Sequence, residues 1–457
     1  MRNLLPVIFV FFSFGTIGCG DQAKDHFGRG VELGDMGEHD KAIEAFTEAI
    51  RLDPNSAQAF CKRGLAWEMK NEHDKSVDDF TSAIQIDPSF SLAYFFRGFV
   101  FKVENQHDKA IIDFTEAIRL DPDSAAAYVN RGISWSAKGE SDKAIEDYTT
   151  AIRIDPRLIP TYASRGIARS RRGEHDKAIE DYTQVIRLDP KHVDSYNNRG
   201  RAWIEKGEYD KAIEDFTEAI RFNPNHPDEY INRGISWSSI GDHDKAINDF
   251  TEAIRLNPNL DIAHYKRGMS WQEKNRHDKA IVDFTEAIRL HPSFPIAYWK
   301  RGVSWELLNE LDKAIEDYTE AIHLEPEDAQ AYYNRGVVWE KKNEHDKAIE
   351  DCTEAIRLDP LFPDPLNQLA WIYATCSDAD FRNGKQAVVY ATKACELSEW
   401  ADALIIDTLA AALAEDGDFE KAIEWQEKAL LLAPEDQRSA CEAQLNLYKA
   451  GKPYREE

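Results

Sequence analysis

Residues 125–158 read AAAYVNRGISWSAKGESDKAIEDYTTAIRIDPRL, and this stretch decides the fold. Tyr128, Gly132 and Trp135 follow one another at spacings of four and three, which places them on one face of a helix. A glycine then interrupts the pattern, and a second apolar face continues until Pro156, where a helix has to end. The stretch therefore predicts two helices joined by a short turn.

This unit repeats along the chain with a constant step of 34 residues, as from Pro54 to Pro88. An Arg-Gly pair and an Asp-Lys-Ala-Ile string keep the same step. Ten prolines lie on the progression: Pro54, Pro88, Pro122, Pro156, Pro190, Pro224, Pro258, Pro292, Pro326 and Pro360. A strict period of this length indicates a solenoid, in which each unit buries its apolar face against its neighbours. We therefore predict an all-α solenoid, an alpha-alpha superhelix.

The period also divides the chain into repeats. Ten regular helix-turn-helix repeats occupy residues 23–362, and two divergent repeats follow in residues 363–435. A capping helix and a tail are expected in residues 436–457, because a solenoid needs its open end covered. The total is about twelve repeats.

One position of each regular repeat separates its two helices and is always Gly or Asn. The ten residues are Gly37, Asn71, Asn105, Gly139, Gly173, Gly207, Gly241, Asn275, Asn309 and Asn343. Gly and Asn best tolerate the left-handed backbone conformation that follows a helix C-terminus. We therefore expect a left-handed residue at each of these turns.

The charge of the chain is strongly acidic. Its formal net charge is −27, with 83 acidic and 56 basic residues. Such a charge disfavours nonspecific binding to nucleic acid or to anionic lipid, and it favours neutral, basic or mixed-charge ligands. We expect the partners to be other proteins or peptide segments, with no nucleic acid.

The first 18 residues form a segment that does not belong to the repeats. In it, Arg2 precedes an apolar stretch at residues 4–14. Such a stretch is too short to span a bilayer and is typical of a signal peptide. The small residues before Cys19 resemble a bacterial lipobox, although Thr16 stands where that motif usually has an aliphatic residue. The resemblance implies a cleaved signal peptide (1–18), lipidation of Cys19 and a short tether (19–22). Ordinary secretory cleavage or an uncleaved anchor stays open.

These features predict an exported protein at the cell membrane or in the periplasm. The membrane is contacted through the N-terminal lipid only, because no other segment of the sequence is apolar enough to cross a bilayer.

The repeat pattern resembles the tetratricopeptide repeat of bacterial proteins. With Ala125 taken as position 1, the match covers a bulky residue at position 4, Gly at 8, an aromatic at 11, Ala at 20 and 27, an aromatic at 24 and Pro at 32. The resemblance implies a right-handed superhelix that holds extended peptides in a concave groove. Positions 2, 5, 6, 9, 12 and 13 of the first helix would line that groove.

Candidate groove residues follow from these positions. They are Phe95, Phe96, Phe99, Asn130, Asn198, Asn232, Tyr265, Trp299, Tyr333 and Asn334. An Asn side chain donates to and accepts from a peptide backbone at once, whereas the alternative is a solvated helix residue. Exposed aromatic clusters mark binding surfaces, whereas the alternative is that neighbouring repeats bury these rings.

Two departures from the family pattern occur together. Position 7 is Arg in all ten regular repeats, and position 23 is Asp in nine of them, from Asp79 to Asp351. The paired opposite charges predict a row of Arg–Asp ion pairs within or between repeats. The alternative is a row of arginines that grips acidic ligands. A separate cluster of Arg165, Arg169, Arg171 and Arg172 either binds an acidic partner or offsets nearby carboxylates.

No motif of the sequence indicates catalysis, a cofactor or a metal. The chain lacks a glycine-rich phosphate loop, a nucleophile elbow and a His-Glu metal helix. Seven histidines at position 17 fall in different repeats, too far apart to share an ion. We therefore predict a protein-binding scaffold or adaptor of the cell envelope rather than an enzyme. The alternatives are an envelope-assembly factor that recruits cell-wall enzymes, and a structural spacer.

Overall fold

The computed structural model describes residues 21–456, and all of its regular elements in this range are helical. The helices form two compact units, with the boundary between Pro224 and Asn225. This architecture confirms the all-α solenoid predicted from the period. The predicted signal peptide and Cys19 lie outside the described residues, and the last two residues of the predicted tether belong to the first helix.

The first unit holds repeats 1–6. Its helices are α1 (Asp21–Asp35), α2 (His39–Leu52), α3 (Ala57–Glu68), α4 (His73–Ile86), α5 (Ser91–Val103), α6 (His107–Leu120), α7 (Ala125–Ala137), α8 (Ser141–Ile154), α9 (Ile159–Arg171), α10 (His175–Leu188), α11 (Val193–Glu205) and α12 (Tyr209–Phe222).

The second unit holds repeats 7–12 and the last helix. Its helices are α13 (Pro227–Ser239), α14 (His243–Leu256), α15 (Asp261–Glu273), α16 (His277–Leu290), α17 (Pro295–Leu307), α18 (Leu311–Leu324), α19 (Ala329–Lys341), α20 (His345–Leu358), α21 (Pro363–Thr375), α22 (Gly384–Leu397), α23 (Ala403–Glu415), α24 (Phe419–Leu432) and α25 (Arg438–Lys449). A short 3-10 turn at Ala379–Phe381 lies between α21 and α22.

The core of repeats 1–9 is built on one aromatic ring of the second helix set against a glycine of the first, whereas in repeat 10 Cys352 takes the place of the ring. In repeat 4 the Tyr148 ring is 2% exposed and fills the space beside Gly132. A Cβ atom added at Gly132 would lie 2.7 Å from that ring, which is too close for any side chain. Ala144 and Ala151 flank the ring and are fully buried. Small residues therefore let the two helices approach until the ring fills the gap.

The turns between the helices have the conformation that the sequence predicts. The backbone φ angle is positive at all ten Gly or Asn positions, for example 80° at Gly139 and 59° at Asn343. Past the turn, the Glu140 N–H donates to the Trp135 carbonyl at 3.0 Å, which satisfies a carbonyl at the end of α7.

Arginine at position 7 forms the predicted ion pair with Asp at position 23 of its own repeat. Arg131 binds Asp147 through two parallel hydrogen bonds, Nη2 to Oδ1 at 2.7 Å and Nε to Oδ2 at 2.9 Å. Arg131 also donates from Nη1 to Thr115 of the preceding repeat at 3.1 Å, a bond that recurs in both units. The nine pairs are Arg63–Asp79, Arg97–Asp113, Arg131–Asp147, Arg165–Asp181, Arg199–Asp215, Arg233–Asp249, Arg267–Asp283, Arg301–Asp317 and Arg335–Asp351. The structural interpretation of the row is therefore confirmed.

The end of the second unit is closed by α25. Tyr448 of this helix is 1% exposed and belongs to the core cluster that Leu409 and Ala410 of α23 also build. Within residues 21–456, none of the helices has the length and apolar character needed to cross a bilayer.

Candidate functional site

We call positions 2, 5, 6, 9, 12 and 13 of the first helix in each repeat the groove face. Several apolar side chains on this face are left open to solvent: Leu92 (40% exposed), Val103 (46%), Ile167 (38%), Ile262 (37%), Ile296 (46%) and Leu307 (62%). A series of exposed apolar side chains on one helix face is typical of a binding surface. Both units carry such residues.

The phenylalanine cluster of α5 divides into core and surface. Phe95 is only 5% exposed, and its ring centroid lies 5.8 Å from that of Phe114 in α6. Phe95 is therefore a packing residue, and the prediction that it contacts a partner is wrong, because position 5 of this repeat points into the space between α5 and α6. Phe96 and Phe99 are half-buried and stay on the groove face. Phe96 packs against Phe80 of the preceding repeat, with centroids 5.9 Å apart.

Lys102 of the groove face was missed by the sequence reasoning. Its Nζ lies 4.2 Å from the centroid of the Phe99 ring and donates to Asn130 Oδ1 at 2.6 Å. Burial lowers the pKa of Lys102 to about 8. The sequence does contain a signal for this residue, because Lys102 follows the aromatic groove residue Phe99 by three positions. Residues at that spacing share a helix face.

Asn130 is already engaged within the protein. Its side chain is 8% exposed, and its amide nitrogen donates to the Ala126 carbonyl at 2.8 Å while its oxygen accepts from Lys102. Asn130 is therefore largely committed to bonds within the protein, and its contact with a partner's backbone stays a prediction. Asn198, Asn232 and Asn334 are half-buried.

The aromatic residues predicted in the second unit differ in exposure. Tyr265 is 5% exposed and packs against Phe284 and Phe294, with centroids 5.9 and 5.0 Å away. The prediction that Tyr265 contacts a partner is wrong for the same reason as for Phe95. Trp299 and Tyr333 are half-buried. The Lys300 ammonium lies 4.8 Å from the centroid of the Trp299 ring, so a cation and an aromatic again occur together.

The arginine cluster of repeat 5 mostly offsets carboxylates. Arg165 and Arg169 both bind Asp181, at 2.7 and 2.9 Å. Arg172 pairs with Asp142 of the preceding repeat and with Glu174. Arg171 differs, because its Nη1 donates to the uncharged Ser136 hydroxyl at 3.3 Å.

The charge of the groove face in repeats 3–5 is opposite in sign to that of the whole chain. Lys102 and Arg171 occupy groove positions there, whereas Asp and Glu occupy none of the corresponding positions. The face therefore combines exposed apolar groups with two cations. Within residues 21–456, no group of three or more His, Cys, Asp or Glu side chains is placed to hold a metal ion.

Four family models match the sequence. Models described as tetratricopeptide repeat match residues 164–227 and 272–324, residues 23–56, 125–158, 227–260 and 329–362, and residues 92–124 and 407–436, and one described as TPR repeat matches residues 307–343. With these matches spread from repeat 1 to repeat 12, the chain belongs to the tetratricopeptide repeat family.

Individual proteins give weaker likenesses. None of the curated proteins matches the sequence. Among solved structures, MamA from Desulfovibrio magneticus RS-1 is 24% identical over 37% of this chain and 95% of that chain, with a TM-score of 0.36. YrrB, described as a TPR protein with an unusual peptide-binding site, is 21% identical over 40% and 95%, with a TM-score of 0.37. Yeast Tom70 is 16% identical over 94% and 96%, with a TM-score of 0.38.

Proposed function

We propose that this protein is a noncovalent scaffold that binds segments of other proteins along its groove face. The observation that carries the proposal is the exposure of apolar side chains on that face in a chain whose formal charge is −27. Apolar groups left in solvent by the fold cost free energy that a partner recovers by covering them. Repeats of this family serve as recognition surfaces, and no catalytic step forms part of the proposal.

The partner surface of the first unit is the groove face of repeats 3–5, which we call the repeat 3–5 surface. Its apolar members are Leu92, Phe96, Phe99, Ile133 and Ile167, and its cations are Lys102 and Arg171. The matching partner is an extended segment with apolar side chains and at least one carboxylate. A carboxylate that reaches Lys102 forms a charge-assisted hydrogen bond beside an aromatic ring, where water is partly excluded.

The experiment compares a double variant of the repeat 3–5 surface with a single control variant outside it. Phe99→Ala with Ile167→Ala removes apolar area from the repeat 3–5 surface, whereas Ile112→Ala removes an apolar side chain that is 67% exposed on α6. Loss of two anchors should cost about 2 kcal/mol, or roughly thirtyfold in affinity. Proteins recovered from native membranes by the wild type should therefore be lost with the double variant and retained with Ile112→Ala.

Thermal melting decides what a negative result means. Unchanged recovery of partners with both variants, at unchanged melting temperature, would rule out the repeat 3–5 surface. A lower melting temperature of the double variant with partners retained would show that these side chains are packing residues.

We also propose that the protein acts at the cell envelope and is held there by lipid on Cys19. The support is the apolar stretch at residues 4–14 and the small residues before Cys19. Cys19→Ser should leave the signal segment uncut by the lipoprotein signal peptidase, whereas Thr16→Leu, closer to the usual motif, should be processed at least as well as the wild type. Mass spectrometry of the mature N-terminus checks both, and a mature chain cut elsewhere and without lipid contradicts the proposal.

A further inference from the structure

The last described residues lie on the groove face of repeat 11. We call residues 452–456 the tail, which has no regular secondary structure after α25. Its contacts include Trp371, Ala374 and Thr375, which occupy groove positions 9, 12 and 13 of α21. The tail therefore lies where the family resemblance places an extended peptide.

The contacts use both backbone and side chains of the tail. The Glu456 N–H donates to the Thr375 carbonyl at 3.0 Å, and the Trp371 Nε1–H donates to the Glu456 carboxylate at 3.0 Å. The rings of Tyr454 and Trp371 pack with centroids 5.8 Å apart. Three successive tail residues, counting Arg455, thus make three different kinds of contact.

Arg455 joins the tail to two repeats at once. Its Nη1 donates to the Ala374 carbonyl at 3.3 Å, and its Nη2 pairs with Glu415 at the end of α23. Arg382 also approaches Glu415, with Nε 3.3 Å from Oε1. The Glu415 side chain is 14% exposed and that of Arg455 35%, so the ion pair is partly shielded from solvent.

The surface can accept a tail because α21 ends differently from the regular first helices. Those helices end in a left-handed Gly or Asn turn whose N–H groups satisfy the last carbonyls. After α21 the chain instead leads towards the 3-10 turn at Ala379–Phe381. Cys376, the residue that directly follows α21, has a φ angle of −49° rather than a positive one. The carbonyls of Ala374 and Thr375 accept from the tail, and the negative end of the helix dipole favours the Arg455 cation there.

We propose that Trp371, Ala374, Thr375 and Glu415 form a peptide-binding site, for extended segments with an aromatic residue, an arginine and an acidic residue in succession, whose resident ligand is the tail. Because the tail is tethered, its effective concentration keeps the site filled. A partner segment of the same chemistry has to displace it. The site is separate from the repeat 3–5 surface, so either proposal can fail while the other stands.

The test supplies the tail in trans. The probe is a fluorescent, amidated peptide of residues 450–457, titrated into a chain truncated after Gly451 and into the intact chain. The truncated chain should bind the peptide saturably, and the intact chain should bind it about tenfold more weakly or worse, because its own tail competes. In the truncated chain Trp371→Ala and Glu415→Gln should each weaken binding, and a peptide carrying Arg455→Ala should bind less well than the natural one.

A second variant guards against loss of folding on truncation. The full-length Arg455→Ala variant keeps the whole chain and loses only the guanidinium group of the tail. It should hold its own tail less tightly and therefore bind the wild-type peptide better than the wild-type chain does. The proposal is overturned if a truncated chain that retains wild-type helicity by circular dichroism does not bind the peptide. It is also overturned if the full-length Arg455→Ala variant and the full-length wild type bind the peptide equally. The tail would then have only a structural role in packing against α21 and α23.

Discussion

Among single residues, Arg199 shows what the charge row contributes at one position. It donates two hydrogen bonds to Asp215, at 2.7 and 2.9 Å, and a third to Thr183 of the preceding repeat at 2.9 Å. Asp215 is 4% exposed, and burial raises its pKa even though Arg199 opposes the shift. The pair is therefore an element of the core rather than a surface decoration.

Arg199→Ala should cost about 3 kcal/mol of local stability, because it leaves a buried carboxylate without its cation. Pairing Arg199→Leu with Asp215→Leu should recover much of that loss, since two apolar groups need no partner. Hydrogen exchange of the α11 and α12 amides measures both variants. Arg255→Ala is the control: it removes an exposed partner of Glu252 and should leave exchange unchanged. Unchanged exchange in Arg199→Ala would contradict a structural role.

His264 lies beside one Asp of the row, Asp283, and distinguishes its surroundings from those of Asp317 in the next repeat. Burial raises the pKa of Asp283, but His264, whose Nδ1 lies 3.6 Å from Oδ1, and the two hydrogen bonds from Arg267 together outweigh burial, so the pKa is below the ordinary 3.8. Burial also raises the pKa of Asp317, and there it outweighs the lowering effect of Arg301. His264 occupies position 4, where Tyr298 stands in the next repeat. His264 is therefore the main difference between the surroundings of the two carboxyls, and Glu316 beside Asp317 acts in the same sense.

His264→Tyr should move the pKa of Asp283 from below 3.8 to above it. In the wild type, ionised Asp283 contributes stability above 3.8 that is lost as the pH falls through its lowered pKa. In the variant the sign reverses, and stability falls as the pH rises from 3.8 through the raised pKa. A carboxyl-carbon NMR titration of Asp283, with Asp317 as the internal reference, measures the change. An Asp283 pKa that stays below 3.8 in the variant would assign the shift to Arg267.

At the scale of the helix pair, the glycine at position 8 sets how closely two helices approach. Gly132 lies against the Tyr148 ring, whereas an added Cβ at Gly28 in α1 would meet no atom within 4 Å. Both residues lie inside helices, where glycine is less favourable than alanine by about 1 kcal/mol. The two positions thus separate the intrinsic preference of a helix from the packing between helices.

Gly132→Ala should destabilise the protein by roughly 1 kcal/mol, because overpacking against Tyr148 costs about 1–3 kcal/mol and exceeds the gain in helix propensity. Gly28→Ala should stabilise it slightly, because the same gain there meets no clash. Thermal melting monitored by circular dichroism compares them. Equal melting of the two variants would show that the helix pair can open to accept a methyl group at no cost.

At the scale of the whole molecule, the repeats form a chain of nearest neighbours. Within each unit, helices contact those of the same and adjoining repeats, so no single core serves all of them. In such an architecture stability is a sum of local terms, and a weakened repeat opens without the rest. Binding surfaces in separate repeats can therefore change independently.

Loss of protection caused by Gly132→Ala should accordingly be confined to repeats near repeat 4. Hydrogen exchange followed by mass spectrometry should show faster exchange in peptides from α7 and α8, and unchanged exchange in peptides from α19 and α20. Faster exchange of α19 and α20 as well would mean that the repeats unfold as one cooperative unit.

The sequence by itself determined the helix pairs, the left-handed turns at positions such as Gly139 and Asn343, and the pairing of Arg with Asp along the row. These features are local or strictly periodic, because each depends on residues that recur at the same positions of the repeat. The pattern occurs ten times, and every copy predicts the same geometry. That Arg131 pairs with Asp147 of its own repeat was decided by the tertiary structure. The lipid anchor on Cys19 and the envelope location stay predictions.

Only the tertiary structure decided which groove residues are available. Phe95 is buried and Phe99 is not, because the space beside each ring depends on side chains of other helices, which the period does not describe. Asn130 is engaged by Lys102 of the preceding repeat, and the tail reaches Trp371 across 85 residues of sequence. Such contacts join single residues that are far apart in the chain. The spacing of residues in the sequence does not predict these contacts, because they form only after the repeats have stacked on one another.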